Sequence, residues 1–337
     1  MKALITAPFH EKGLKILEKY MGVKYENWRE TNILYREPKD YIKKIREEGA
    51  DVLITEGDEI DREVIEACDI KIIGVCRGDP VNVDVEAATE KGIPVFYTPH
   101  RNADAVADLT IALILAQLRH LTKIDRVLKS GEFYIDSAEK FTKMLEQFKG
   151  NEIGNKIVGI IGFGAIGYRV AKRLKYGFNA KILVYDPYAD ERLIKEVDGE
   201  RVDLHTLLKK SDIVTIHAKL TEETIEMIGK KEIEMMKPSA ILINTARAAI
   251  VDEDALYEAL KERKIAGAGL DVFGVEPVDS DNRFLELDNV TVTPHIGGAT
   301  YETEERHSMM IAEDIERYIR NEKPKFIKNP EVLGVKK

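Results

Sequence analysis

Lys156-Ile-Val-Gly-Ile-Ile-Gly162-Phe-Gly164-Ala-Ile-Gly167 reads as a buried strand running into a glycine turn that opens a helix. Ile157, Val158, Ile160 and Ile161 form a short β-branched run, as expected of a parallel strand covered on both faces. Gly162, Gly164 and Gly167 fit G-x-G-x-x-G. The first glycine allows the tight turn, the second lets backbone approach a pyrophosphate, and the third lets helix pack on strand. The N–H groups of the helix N-terminus, with the helix dipole, would then hold the phosphates. Ordinary glycine turns give the same pattern, so a second signal is needed. It comes in the next strand, Lys181-Ile-Leu-Val-Tyr-Asp186. Asp186 lies 186 − 167 = 19 residues past the last glycine, close to the fingerprint's spacing of about 20. An acid there accepts from the adenosine ribose and repels a 2′-phosphate, which favours NAD over NADP.

At 337 residues the chain is long for one domain and suits two. No apolar run approaches a membrane span, and Met1-Lys-Ala-Leu-Ile-Thr enters a strand directly, without the pattern of a secretory signal. Cys68 and Cys76 lack metal-ligand spacing and read as reduced thiols, so a cytoplasmic protein without a metal is expected. A net charge of −9 argues against a nucleic-acid partner. Lys323, Lys325, Lys328, Lys336 and Lys337 read as a solvated tail.

Residues 1–98 alternate strands (Lys2–Thr6, near Val23, Asp51–Thr55, Lys71–Cys76, Pro94–Tyr97) with helices around Glu11–Tyr20, Lys39–Glu48, Asp61–Ala67 and Asp84–Glu90. That is a small α/β domain in its own right. Asn102 to about Lys129 carries one long helical pattern, stopped by Ser130-Gly131. Its middle is apolar almost all round, which suits burial between domains or at a subunit contact. Ala138–Phe148 is a further short helix. From Ile157 the pattern predicts six strands: Ile157–Ile161, Lys181–Tyr185, Ile213–His217, Ala240–Asn244, Ala266–Asp271 and Val290–Thr293. Joined by helices, they match the doubly wound parallel sheet of a Rossmann domain. Glu302–Arg320 reads as a terminal helix.

In such a sheet ligands collect beyond the carboxyl ends of the strands. The third strand ends in His217-Ala218, the fourth in Thr245-Ala246-Arg247, the fifth in Asp271 with Glu276 a few residues on, and the sixth in Pro294-His295-Ile-Gly297-Gly298. A cation, a carboxylate and an imidazole thus gather on the edge that should hold the cofactor. Arg247 can grip a substrate carboxylate through its planar fork and polarise a carbonyl. His295 is the natural general acid or base. Glu276, bonded to the far ring nitrogen of His295, would favour the imidazolium. Taken singly, an Arg after a strand is usually a surface charge, a loop Glu solvated, and a His after Pro a turn residue. Their shared edge is what favours chemistry. His217 is the rival acid–base residue, though as a strand-end residue it reads mainly as lining. Asp271 reads either as a contact to the nicotinamide amide or as a buried anchor for the loop to Glu276.

Over nearly its whole length the chain resembles the D-isomer-specific 2-hydroxyacid dehydrogenases. The likeness rests on Gly162-Phe-Gly-Ala-Ile-Gly167, Ile243-Asn-Thr-Ala-Arg247 with Val251-Asp-Glu253, Gly269-Leu-Asp-Val-Phe273 with Glu276-Pro277, and Thr293-Pro-His-Ile-Gly-Gly298. It implies that Arg247, Glu276 and His295 are the catalytic residues. It also implies that Ala165, Ile166, Asp186, Ala218, Thr245, Ala246, Asp271 and Gly298 touch NAD. A discontinuous substrate domain follows from it (1–98 with 300–337, flavodoxin-like), around an NAD domain at 99–299. So does a homodimer built through the NAD-domain region.

Arg77-Gly78-Asp79-Pro80-Val81 is then the loop of the first domain that would bind the substrate, through Arg77, Gly78 and Asp79. Asp79-Pro80 departs from the glycine-richer run expected of relatives, as do Lys219 and Ala248 at their own positions. Arg77 and Arg101 are candidates to meet a second anionic group, and Trp28-Arg29 has no assigned place. The expected activity is interconversion of a D-2-hydroxy acid and its 2-keto acid. The alternatives are a phosphite-type dehydrogenase and an NAD(H)-sensing corepressor-like protein on the same fold.

Overall fold

A computed structural model describes residues 1–132 and 134–334. Phe133 and the tail lysines Lys336 and Lys337 lie outside the described residues. The chain divides into two compact units, one of Met1–Arg101 with the segment from Ala299 onward, the other of Asn102–Gly298.

The small unit holds a parallel sheet of β1 (Lys2–Ile5), β2 (Gly22–Tyr25), β3 (Val52–Thr55), β4 (Ile72–Val75) and β5 (Val95–Tyr97). Its order is β2-β1-β3-β4-β5, the flavodoxin-like arrangement. β3 and β4 are buried at every position, which explains why Val-Leu-Ile-Thr and Ile-Ile-Gly-Val read as continuous apolar runs. One face is completed from far along the chain. Ile311, Ala312 and Ile315 of the helix Tyr301–Ile319 join Ala3, Ile5, Leu17 and Phe96 in one core. That helix lies against Glu11–Leu17 so closely that a Cβ on Gly13 would come within 2.9 Å of the Ser308 carbonyl oxygen.

Among its described residues the large unit has seven parallel strands: β6 (Ile157–Ile161), β7 (Lys181–Tyr185), β8 (Glu200–Arg201), β9 (Ile213–Ile216), β10 (Ile241–Asn244), β11 (Gly267–Leu270) and β12 (Val290–Val292). Their order is β12-β11-β10-β9-β6-β7-β8. Here the structure corrects the count of six. The doubly wound order 3-2-1-4-5-6 is made by β8-β7-β6-β9-β10-β11. The stretch at Val290 is a seventh strand beyond it. β8 was invisible because two charged residues at a sheet edge carry no apolar alternation.

A second correction concerns the long helix expected over 102–129. It is two helices, Ala103–Leu118 and Leu121–Ser130, bent by 63° where His120 takes φ +54°. No glycine or proline marks the break. The first helix is buried on its own unit's sheet, with Leu113, Ile114 and Leu118 in one core with Val158, Ile160 and Ile243. Among the described residues no single helix is long and apolar enough to cross a membrane.

Candidate active site

The glycine turn is shaped by backbone crowding at two of its three glycines. Gly162 adopts φ +86°, and a Cβ there would sit 2.6 Å from Ala218 Cα. A Cβ on Gly167 would fall on the carbonyl oxygen of Gly162. Gly164 differs: its φ is −76°, and a Cβ there would meet nothing within 4 Å. The chain itself therefore does not require glycine at 164. What it leaves is open space at the N-cap of the helix Ala165–Phe178, where no side chain caps the helix. The first-turn N–H groups have no intrahelical acceptor, so this cradle fits a pyrophosphate.

Asp186 Oδ2 accepts from Phe163 N at 2.7 Å and Oδ1 from Tyr188 N at 2.8 Å, tying the glycine turn to the end of β7. A carboxylate offers about four lone pairs, so acceptor capacity remains for a ribose hydroxyl. Arg201, on the strand that sequence reasoning missed, holds the same loop by donating to the carbonyls of Asp186, Pro187 and Ala189. Ala218 packs against the glycine turn, but Thr245 turns inward. Its hydroxyl lies 3.0 Å from Thr110 Oγ1. Ala246 donates its N–H to Asn244 Oδ1, and Gly298 lies against the Asn102 side chain.

His217 Nε2 pairs with Thr215 Oγ1 at 2.9 Å, while Nδ1 is buried without a partner among the described residues. Burial holds its pKa down to about 3, so the ring is neutral across the physiological range. A ring that does not charge there is poor acid–base equipment, and His217 falls back to lining.

Arg247 follows β10. Buried Asn244 folds the turn before it, accepting from Ala246 N at 3.0 Å and donating to the Arg247 carbonyl at 3.0 Å. The guanidinium is exposed and donates to Ala246 O at 2.6 Å. Glu276 stands after β11, its Oε1 accepting from Phe273 N at 3.1 Å. Its Oε2 lies 2.6 Å from His295 Nδ1. Burial alone would raise the Glu276 carboxyl. The hydrogen bonds of His295 and Phe273 N, with the charges of His295 and Arg247, outweigh it and hold the group below its ordinary value. An ionised Glu276 can only accept, so Nδ1 carries a proton and Nε2 is the atom free to give or take one.

Asp271 fixes this arrangement. It is 1% exposed, and it accepts from Thr293 Oγ1 at 2.6 Å, Ile296 N at 2.8 Å and Gly297 N at 2.8 Å. Those three donors bracket His295, which adopts φ +56°. Asp271 thus anchors the loop of His295, where the sequence had suggested the loop to Glu276. Asn244 and Thr293 lie inside the stretches that carry the family likeness, but the sequence assigned neither of them a role. A strand-end Asn before a turn was the one available signal.

Arg77, Gly78 and Asp79 belong to the small unit, on the loop after β4. Gly78 is exposed, Arg77 donates to the Glu56 carbonyl at 3.3 Å, and Asp79 is paired with Lys328 at 2.9 Å. Among the described residues no group of three or more His, Cys, Asp or Glu is placed to hold a metal ion.

Residues 111–297 match the model of the D-isomer specific 2-hydroxyacid dehydrogenase NAD binding domain. The chain is 43% identical over 321 residues to a putative 2-hydroxyacid dehydrogenase, YoaD, of Bacillus subtilis, covering 94% of this chain and 91% of that one. It is 41% identical over 333 residues to a glyoxylate reductase of Thermococcus litoralis, covering 98% of each. The crystal structure of the TT0316 protein from Thermus thermophilus superposes with a TM-score of 0.83 at 31% identity, covering 97% of this chain and all of that one.

Proposed function

Because the chain belongs to the D-isomer-specific 2-hydroxyacid dehydrogenases, NAD-dependent oxidoreductases, we propose that Arg247, Glu276 and His295 carry its reaction. NAD, when bound, supplies the hydride acceptor or donor. Gly162, Gly164 and Gly167 with the N–H groups of Ala165 and Ile166 would hold its pyrophosphate, and Asp186 its ribose. Ala218, Thr245, Ala246, Gly297 and Gly298 would line the site through backbone, and His217 through its ring.

Arg247 grips the substrate carboxylate and polarises the carbonyl at C2. His295 Nε2 delivers a proton to the developing alkoxide in reduction and removes it in oxidation. Glu276 fixes the ring and balances the charge that forms on it. The observation that carries this reading is the 2.6 Å bond between His295 Nδ1 and Glu276 Oε2 beside the field of Arg247. The short keto acid named for the Thermococcus relative supports glyoxylate as a starting substrate. Arg77 and Gly78 are proposed substrate contacts.

Following NADH absorbance with glyoxylate and hydroxypyruvate tests the roles. Replacing His295 with Ala should lower kcat by about 10²–10⁴-fold with NADH affinity little changed. Glu276→Gln should move the pH–rate profile. Equal losses of turnover and NADH affinity would refute the assignment. Tight NADH binding without turnover of any 2-keto acid or of phosphite would favour the sensing alternative.

A homodimer is proposed through Leu121–Ser130 and Ala138–Gln147. These helices have no buried residue and expose Leu121, Leu128, Phe141 and Leu145. Sedimentation reads this directly. Cytoplasmic residence is proposed on the two free thiols, Cys68 and Cys76.

A further inference from the structure

β8 consists of two charged residues, Glu200 and Arg201, at the edge of the large unit's sheet. Charged residues at an edge contribute little to a core, so packing does not account for this strand. What it provides is a place for Arg201. Register sets Arg201 beside Val184, two residues before Asp186. Its side chain, 30% exposed, reaches the loop that follows β7. Nη1 donates to the carbonyls of Asp186 at 2.9 Å and Pro187 at 3.1 Å, and Nη2 donates to that of Ala189. Nε lies 2.6 Å from Glu191 Oε1, an ion pair off the hydrogen-bond line. The turn from 186 to 191 is thus wrapped around one guanidinium. A planar fork with five donors suits carbonyls spread along a turn, whereas an ammonium offers three donors about a single point.

One of those carbonyls sets the aim of a carboxylate. Asp186 Oδ2 accepts from Phe163 N, which belongs to the glycine turn, and Oδ1 from Tyr188 N at 2.8 Å. The Tyr188 N–H and the Pro187 carbonyl are the two ends of a single trans peptide. Such a peptide is planar, with N–H and C=O pointing opposite ways. Arg201 holds its oxygen end, so the N–H end is held toward Asp186. Without the guanidinium that peptide can turn its carbonyl to water, and the carboxylate then loses one of its two backbone donors.

The nearby charges are spent as well. Glu191 balances Arg201. Arg192 is forked onto Asp190, with Nε at 3.1 Å and Nη2 at 2.7 Å. Neither guanidinium stands free to attract a 2′-phosphate.

We propose that Arg201 is a positioning residue for cofactor choice. By holding the Pro187–Tyr188 peptide it aims the Asp186 carboxylate, which accepts from a ribose 2′-hydroxyl and repels a 2′-phosphate. Resting on the reading of Asp186 as the ribose partner, this makes the preference for NADH over NADPH depend on a side chain that acts only through another.

Both reduced nucleotides carry the same fluorophore, so Kd for NADH and for NADPH is read by fluorescence titration without turnover. Wild type, Arg201→Lys, Arg201→Gln and Asp186→Asn are compared, with a thermal melt on each. Arg201→Lys keeps the charge and loses the fork. In both Arg201 variants NADH affinity should fall about tenfold or more, the worth of one hydrogen bond to a charged group. NADPH should lose less or gain, because the carboxylate that repels it is no longer held in place. The ratio of Kd for NADPH to Kd for NADH therefore drops. A purely structural role would weaken both nucleotides alike, together with Tm, and leave the ratio at its wild-type value. A wild-type ratio in either Arg201 variant, while Asp186→Asn still lowers it, overturns the role of Arg201 and leaves the ribose reading intact. A wild-type ratio in Asp186→Asn overturns the ribose reading, and the role of Arg201 with it.

Discussion

Replacing Gly164 with Ala separates what the glycine turn does for the fold from what it does for a ligand. Gly164 has φ −76° and ψ −158°, a conformation that alanine adopts without strain, and a Cβ there meets no atom within 4 Å. Alanine lowers the unfolded chain's entropy, a gain of about 0.4–1 kcal/mol. It is a poorer N-cap than glycine by a comparable amount. Stability should therefore stay within about 1 kcal/mol of wild type. NADH should suffer, because the added methyl occupies the space into which a pyrophosphate must come. Losing one charge-assisted N–H contact costs about 1.5–3 kcal/mol, or roughly 10- to 150-fold in Kd. Gly167→Ala is the control, since its Cβ falls on the Gly162 carbonyl oxygen and crowding of that kind costs about 1–3 kcal/mol. Thermal melts and NADH fluorescence titrations on the three proteins read both quantities. Wild-type NADH affinity in Gly164→Ala would refute the placement of the phosphates. A collapse in stability equal to that of Gly167→Ala would refute the open cradle.

Two further outcomes follow from buried groups. His217 and His307 have folded pKa values lowered to about 3 and about 4 from 6.5. The unfolded chain therefore binds more protons than the folded one below pH 6.5. Their stabilisation is complete above that pH and is lost as pH falls toward 4, by about 3 kcal/mol each at 1.36 kcal/mol per unit. Tm measured from pH 7.5 to 4.5 should drop, and less steeply in His307→Gln, which can still donate to Pro8 and accept from Arg101. A flat profile refutes it. Asp271→Asn would place an NH₂ group against one of the N–H donors of Ile296 and Gly297. It should cost about 1–3 kcal/mol and lower kcat with NADH affinity nearly kept. An unchanged kcat would show that the loop of His295 does not need its anchor.

Much of the site was legible because strand ends are legible. An apolar β-branched run followed by a chemistry-bearing residue placed Arg247, Glu276 and His295 on one edge without any contact information. The supporting shell was not. Asp271 lies more than twenty residues before Thr293 and Ile296, and only register brings it to them. β8 was hidden by its brevity, and the bend at His120 by the absence of any residue that forces one. Glu56 accepts from Trp28, Arg29 and Arg101, a set no local pattern could have gathered. His217 shows the reverse, since its residue type suggested chemistry that its burial withdraws.

The helix Tyr301–Ile319 supplies Ile311, Ala312 and Ile315 to a core otherwise drawn from the first hundred residues. On the ribosome those early strands emerge some two hundred residues before their cover does. At about 5–20 residues per second, that is a wait on the order of 10–40 s. Asn102–Gly298 is made whole in the meantime, so the order of birth is reversed: the portion begun first is finished last. A nascent chain stalled before Tyr301 should expose Ala3, Ile5, Leu17 and Phe96 to holdase chaperones, and release of the last helix should end that capture.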